Sequence, residues 1–357
     1  MSDFSRTLPK TSSARSFDAL LRHVSPADIP SDDELLSAQR LGTFLSNTEL
    51  YDLLLLGDIM LGDKLAPIIQ ARGEDYPFAG LLPLFRKSIT VVANLEAPFA
   101  TVPREATERY SYRVEPRLVG VLKNAGISAL NLANNHIMDC GREGIRETLS
   151  TLHAAGIRAF GGGTNEMNAG KPAILISGKH HIGLLGFHWN PRCAATPDLP
   201  GAAISDPDRI RAAVSSLRSQ VDFLVASFHW GDTYTREPSA KAEMKARLAI
   251  DAGADLVVGH HPHVIQPLKL HKGRPIFFSI GNALMGTGNS RAEGMALAVR
   301  ISGGRAQIDM IPLYVKNRDT RINYQSKAMT GERGTRILQL LNNTAIVDLG
   351  GIGRLAG

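Results

Sequence analysis

The chain has 357 residues and a mass of 38.5 kDa, enough for one large domain or two ordinary ones. With 43% hydrophobic and 21% charged residues it is neither disordered nor of low complexity, and no run approaches the ~18 apolar residues of a membrane-spanning helix. The formal net charge of +6 suits an anionic substrate, and no nucleic-acid partner is expected of so mild an excess. Residues 1–50 read as an N-terminal extension. Its first fourteen or so residues are polar, and helical spacing follows over Ser16–His23 and Asp32–Leu45, with Ser31 expected to cap the second. The N-terminus lacks the apolar core of a secretory signal. Cys140 and Cys193, expected as free thiols, suit a reducing compartment, so a cytoplasmic location is expected.

From Tyr51 apolar runs alternate with amphipathic stretches. Asp52–Leu56, Ile89–Ala93, Ser128–Leu132, Ile182–Phe187, Phe223–Ser227, Leu256–Val258 and Ile276–Ile280 are short continuous runs, the pattern of strands buried on both faces. Pro116, Pro207 and Pro238 each follow an acidic residue where a first helical residue belongs. Gly126, Gly156 and Gly253 each close a helix just before the next strand. From Met295 further strands follow (MALAVRI, AQIDMIPLYV), then a helix near Thr335–Asn342 and a Gly-rich end. The expected organisation is an extension over 1–50, a layered α/β domain over 51–320 and a C-terminal helix and tail over 321–357.

The residues just past each strand are the most informative. DLLLL leads into Gly57-Asp58, TVVAN into Leu95-Glu96 and ALNLA into Asn134-Asn135-His136. LVASF leads into His229-Trp230-Gly231, and DLVVG into His260-His261-Pro262-His263. Open α/β sheets bind ligands beyond the carboxyl ends of their strands. Asp58 after a glycine also suits a turn, Glu96 also suits an ion pair, and Asn134-Asn135 is also turn chemistry. Three histidines within four positions are seldom a packing device. Carboxylate, imidazole and amide oxygen delivered in phase to one rim make the ligand set of Mn, Fe, Zn or Ni, with enough donors for two divalent ions and a bridging carboxylate.

The segments LLLGDIMLGD, VVANLEAP, LKNAGISALNLANNHIMDCGREGIRETLSTLHAAGI, FHWGDTYTREPS and DAGADLVVGHHPHVIQPLKLHKGRPIFFSIGN resemble the bacterial CapA family. These are poly-γ-glutamate capsule biosynthesis proteins, a branch of the calcineurin-like metallophosphoesterases. The resemblance runs from about Tyr51 to Leu284. It implies a four-layer α/β/β/α sandwich with a dinuclear site at the strand ends. In it Asp58 looks like the first-motif ligand, Glu96 stands in the place of the bridging aspartate, and Asn135 looks like the amide ligand. His229, His261 and His263 look like the remaining ligands. His136 looks like the acid beside the metals, and His260 is an extra histidine of the family motif. Two departures from the parent superfamily stand out. Asp-x-His is replaced by Asp58-Ile59-Met60, and the bridge is a glutamate.

Around these, Asp139 is placed to orient His136 in NNHIMD. Arg113 is a candidate carboxylate or phosphate clamp, with Tyr110 and Tyr112 flanking it, although a surface arginine reads the same way. His188-Trp189 and Asn282 also follow strands on this rim, whereas Met60, Met138 and Met285 read as packing. The function expected is a metal-dependent hydrolase acting on poly-γ-glutamate or a related peptide polymer, since hydroxide generation and oxyanion stabilisation serve amides as well as phosphoesters. A phosphoesterase, a peptide epimerase and a non-catalytic accessory subunit associated with a polymer synthase are the alternatives.

Overall fold

The computed structural model describes residues 29–103, 110–287, 293–303 and 305–356. The helix expected over Ser16–His23 lies outside them. Two sheets carry the fold. The larger has ten strands. Its parallel half is Tyr51–Met60, Ser88–Leu95, Ala129–Asn131 and Arg158–Phe160, and an antiparallel half is added by Glu293–Ser302, Arg305–Tyr314 and Gly353–Ala356. The smaller has six strands, with Arg274–Phe277, Leu256–His260, Phe223–His229 and His180–His188 parallel at its centre.

Three hydrophobic clusters define the layers. Leu53, Leu55 and Val92 of the large sheet meet Leu184, Val225 and Val258 of the small one. The alternate residues Leu54, Leu56 and Val91 pack under the helices of the large sheet, against Leu122, Ile145 and Leu152. Leu185, Phe187, Leu224 and Ala226 pack under the helices Pro207–Arg218 and Ala240–Ala252. Period-two alternation thus sends each apolar run into two cores at once, which is why the runs are continuous.

Local chemistry places most helix ends. Gly126, Gly156 and Gly253 close their helices at φ 82°, 77° and 119°, a region that disfavours residues with a Cβ. Asp206 caps the helix begun by Pro207, and Pro116 opens a 3₁₀ turn leading into Val119–Ala125. Two expectations are corrected. Pro238 lies outside its helix, which starts at Ala240 with Ser239 as cap; the serine hydroxyl takes the free Ala242 N–H, which Pro238 has no side-chain acceptor to do. Ser31 closes a local turn with Glu34, and the helix is the shorter Ala38–Phe44, capped by Ser37. Its Leu41 and the following Leu45 are buried in the core of the large sheet's helices. The C-terminal helix is Gly331–Gln339, and the Gly-rich end returns as Gly353–Ala356 beside Arg305–Tyr314.

The last turns of these strands position the site. Along the inner-face rows, Val92 gives way to Asn94 and then Glu96, Ala129 to Asn131, Val225 to Ser227 and His229, Val258 to His260. His188, His229 and His260 stand in register on three adjacent parallel strands. The Tyr51–Met60 strand divides here. Its first half pairs with Glu293–Ser302 and its second with Asn282–Met285, with register shifts on both sides of Asp58.

Candidate metal centre

Strict alternation from the inward-facing Leu55 would turn Asp58 outward. The register shift between Leu55 and Asp58 brings it inward instead. Gly57 makes this approach feasible, because a Cβ there would lie 2.1 Å from the Gly281 carbonyl oxygen. Asp58 is fully buried. Asn94 Nδ2 donates to its Oδ1 at 2.8 Å, and the His260 and His263 Nδ1 atoms each lie 3.3 Å from its oxygens. Glu96 follows the neighbouring strand and is also fully buried. His229 Nε2 and His263 Nε2 lie 3.5 and 3.4 Å from its Oε1.

Two groups of donors converge on this carboxylate. Ligand atoms of Asp58, Glu96 and His229 lie within 4.8 Å of one another, and so do those of Glu96, His261 and His263. Glu96 belongs to both, the position of a bridge. Asn135 joins from the 3₁₀ turn Asn135–Met138, its Oδ1 2.7 Å from His229 Nε2, and His261 Nδ1 lies 3.1 Å from the same nitrogen. His261 and His263 adopt φ values of 94° and 55°, uncommon for residues with a side chain, in the loop that turns both rings onto the rim.

The residues fit divalent ions. Among the described residues, four fully buried atoms at this rim have no hydrogen-bond partner: both Glu96 carboxylate oxygens, His188 Nε2 and His260 Nδ1. A buried carboxylate without a partner is costly, and cations satisfy it directly. Burial, then the charge of Asp58, push Glu96 well above the usual carboxylate range. Burial opposes ionisation of Asp58 too, but the imidazoles of His260 and His263 outweigh it and hold that carboxyl well below. Burial, then the His261 ring, depress His229, and burial, then His263, bring His261 down to about 3, so both are neutral as ligands must be. Burial opposes a charge on His263 as well, yet Glu96 and Asp58 together raise it to about 9.

Beside the centre, His136 Nδ1 is 2.7 Å from Asp139 Oδ2, and the Tyr112 N–H donates to the same oxygen at 2.5 Å. The Tyr112 ring lies on His136 with centroids 4.4 Å apart, and burial, then the charge of Glu96, hold its phenol far above the ordinary range. Asn282 Oδ1 accepts from His263 Nδ1 at 2.9 Å. His188 Nδ1 donates to the His229 carbonyl at 3.3 Å, and burial lowers the ring to about 3. The other flanking residues have different surroundings. Arg113 is exposed and donates to the Thr101 carbonyl at 3.0 Å, and Tyr110 is exposed. Met60 is buried in the core beneath the helices, where its sulfur accepts the Gly62 N–H at 3.0 Å. Cys140 and Cys193 are buried, and their thiols donate to the Tyr112 and Asn135 carbonyls at 3.9 and 3.6 Å.

Sequence reasoning missed the polar layer beneath the ligands. Asn94 Oδ1 accepts from Asn131 Nδ2 at 3.1 Å, and Asn131 also donates to Ser227 at 3.3 Å, tying the two sheets together under Asp58. Gly186 admits this bridge, since a Cβ there would meet Asn131 Oδ1 at 2.1 Å. The signal was an asparagine breaking each of two apolar rows at the same depth.

Two face-to-face sheets with outer helices and a carboxylate–histidine rim at the parallel strand ends define a layered α/β protein with a candidate metal site. The chain belongs to the family described as bacterial capsule synthesis protein PGA_cap, whose model matches residues 52–287. It is 31% identical over 275 residues to the capsule biosynthesis protein CapA of Bacillus anthracis, covering 73% of this chain and 67% of that one. It is 33% identical over 248 residues to the PGA biosynthesis protein CapA of Bacillus subtilis (strain 168), covering 68% of this chain and 65% of that one. The chain thus spans about two-thirds of the length of these relatives. A probable polyglutamine synthesis accessory protein of Mycobacterium tuberculosis is 28% identical over 271 residues, covering 67% of this chain and 70% of that one. Among solved structures, a hypothetical protein from Thermus thermophilus aligns with a TM-score of 0.42 at 15% identity, covering 77% of this chain and 95% of that one. No helix among the described residues is long and apolar enough to cross a membrane.

Proposed function

We propose that this chain is a metal-dependent CapA-like enzyme that hydrolyses or remodels amide bonds of poly-γ-glutamate or a related peptide polymer. The observation that carries the reading is Glu96, fully buried, with neither carboxylate oxygen hydrogen-bonded and with membership of both donor groups. Asp58, Glu96 and His229, and Glu96, His261 and His263, with Asn135 beside them, would hold two divalent ions. Such ions supply Lewis acidity and a water that ionises near neutral pH. Asp139 fixes the His136 ring through Nδ1, leaving Nε2 to pass a proton to a leaving amine. Asn94 and Asn282 hold Asp58 and His263 in place. The capsule and polyglutamate names of the relatives support a peptide polymer as substrate.

The test is metal analysis of protein purified without chelator, then rates of Mn- and Zn-loaded protein on short γ-glutamyl peptides and on bis(nitrophenyl) phosphate. Close to two ions per chain and faster peptide cleavage are expected. Efficient phosphodiester turnover with inert peptides would replace the reading by a phosphoesterase. Bound ions with neither activity would favour the accessory role named for the mycobacterial relative.

A further inference from the structure

An aromatic ring faces each of three histidines on the rim. Tyr112 lies on His136 with centroids 4.4 Å apart, Trp189 stands edge-on to His261 at 6.4 Å, and Tyr234 is 6.2 Å from His263. The three rings come from separate segments: the approach to Pro116, the end of the His180–His188 strand and the loop after Phe223–His229. Tyr234 is held in the left-handed region at φ 64°, its N–H bonded to the Pro262 carbonyl at 2.8 Å, so its loop is tied to the histidine loop. Trp189 is 43% exposed, whereas the chain's other tryptophan, Trp230, is 4% exposed and stacked on Phe228 at 4.4 Å. An indole left this far in water forgoes much of the burial energy that a core position would yield, about 25 cal/mol per Å². Its indole is thus accessible at the rim beside His261.

We propose that Trp189, with Tyr234 and Tyr112, forms an aromatic collar that stacks the planar amide groups of an extended peptide laid across the rim. The inference rests on the reading of the substrate as a peptide polymer and names the subsite that receives it. An amide is flat and polarised, so it lies well against an aromatic face, and rigid rings offer that contact at low entropic cost. The α-carboxylates of a γ-linked glutamyl polymer are strongly hydrated, so its regular amide backbone is the part that rings can grip. Stacked this way, a scissile amide would lie beside the candidate metal centre with its leaving nitrogen toward His136. A saturated polycarboxylate has the charge but no flat amide to stack.

Trp189 is the exposed one of the two tryptophans, so the part of the emission change that Trp189→Phe removes reads this subsite. Mn-loaded protein is titrated with a capped tri-γ-glutamyl peptide, with tricarballylate and with inorganic phosphate. The peptide is expected to shift the emission, and Trp189→Phe to abolish the shift while keeping affinity within about threefold. Trp189→Ala is expected to weaken peptide binding on the order of tenfold, leaving phosphate affinity, metal content and unfolding temperature unchanged. Equal peptide affinity in Trp189→Ala and the parent, or binding without any emission change, overturns the collar and leaves the metal centre standing. Phosphate binding with no peptide binding overturns the collar and the peptide substrate together. Absence of bound metal overturns the functional reading itself.

Discussion

Glu96 is the residue on which the centre turns. Neither Glu96 oxygen accepts a hydrogen bond, its nearest donors being His229 and His263 Nε2 at 3.5 and 3.4 Å from Oε1, so a bound cation should stabilise the protein. Adding Mn or Zn at a hundredfold excess over its dissociation constant should stabilise the fold by about 2.7 kcal/mol, read as a rise in unfolding temperature. Glu96→Gln should abolish that rise without lowering the metal-free unfolding temperature. A variant that keeps the metal-induced rise would show that Glu96 is not a ligand. The proposed function gives the histidines different roles. His261→Ala should lose bound metal, whereas His136→Ala should keep it and lose turnover by about 10²–10⁴-fold, since its ring is bonded to Asp139. Equal metal loss in both would contradict the division.

The pH dependence of loading rests on the same residues. Against the effect of its burial, the charges of Glu96 and Asp58 raise His263 to about 9. Ligation requires a neutral His263, so metal affinity should climb with pH up to about 9 rather than level off near the ordinary histidine range. Calorimetry at pH 7 in buffers of different ionisation enthalpy should record proton release on binding. Zero release would mean that His263 is already neutral.

At the scale of elements, Asp309 joins four strands. It accepts from the Tyr51 hydroxyl at 2.8 Å, from Arg300 at 2.7 Å and from Arg354 at 2.7 and 3.0 Å. Burial raises its pKa, but the bonds from Arg354 and Tyr51 outweigh this and hold the carboxyl below its ordinary value. A depressed carboxyl stabilises the fold above the unfolded value of about 4, and the contribution is lost as pH falls through the folded value. Asp309→Ala should therefore cost about 3 kcal/mol at pH 7 in chemical denaturation and progressively less in acid, with metal content unchanged. The short helix Ala38–Phe44 matters in the same way. Leu41 is fully buried beside the large sheet, so Leu41→Ala should cost about 3 kcal/mol while leaving ligand stoichiometry intact.

Across the whole molecule the centre spans both sheets. Asp58 lies within a strand of the large sheet and Glu96, Asn135 and His136 follow its strands, whereas His229 ends a strand of the small sheet and His261 and His263 follow another. Metal should therefore bind only when the sheets are docked. Leu55→Ala, in the core between them, should lower stability by about 3 kcal/mol in a single transition that metal shifts upward as a unit. Two transitions, one of them insensitive to metal, would show that the sheets unfold independently.

Apolar runs, glycine helix stops and the kinds of donor at each strand end were legible in the chain, because strand burial, C-capping and ligand chemistry are properties of a few neighbouring residues. Asp58, Glu96, Asn134-Asn135-His136, His229 and the histidines of 260–263 stood out in that pattern, and the resemblance to the CapA family chose Asn135, His261 and His263 among them. Tertiary structure decided which donors meet. The bond between Asp58 and the His261 N–H joins residues 203 positions apart, and no local period encodes such a pairing. Period-two reasoning would have turned Asp58 toward the helices, and only the shift in register against two neighbouring strands turns it inward. The placement of Arg113 on Thr101, of Met60 in the core beneath the helices and of Tyr112 on His136 depends likewise on loops fixed by the packing of distant elements. Residue type and short-range periodicity specify what a strand end offers, and only the docking of two sheets specifies where that offer points.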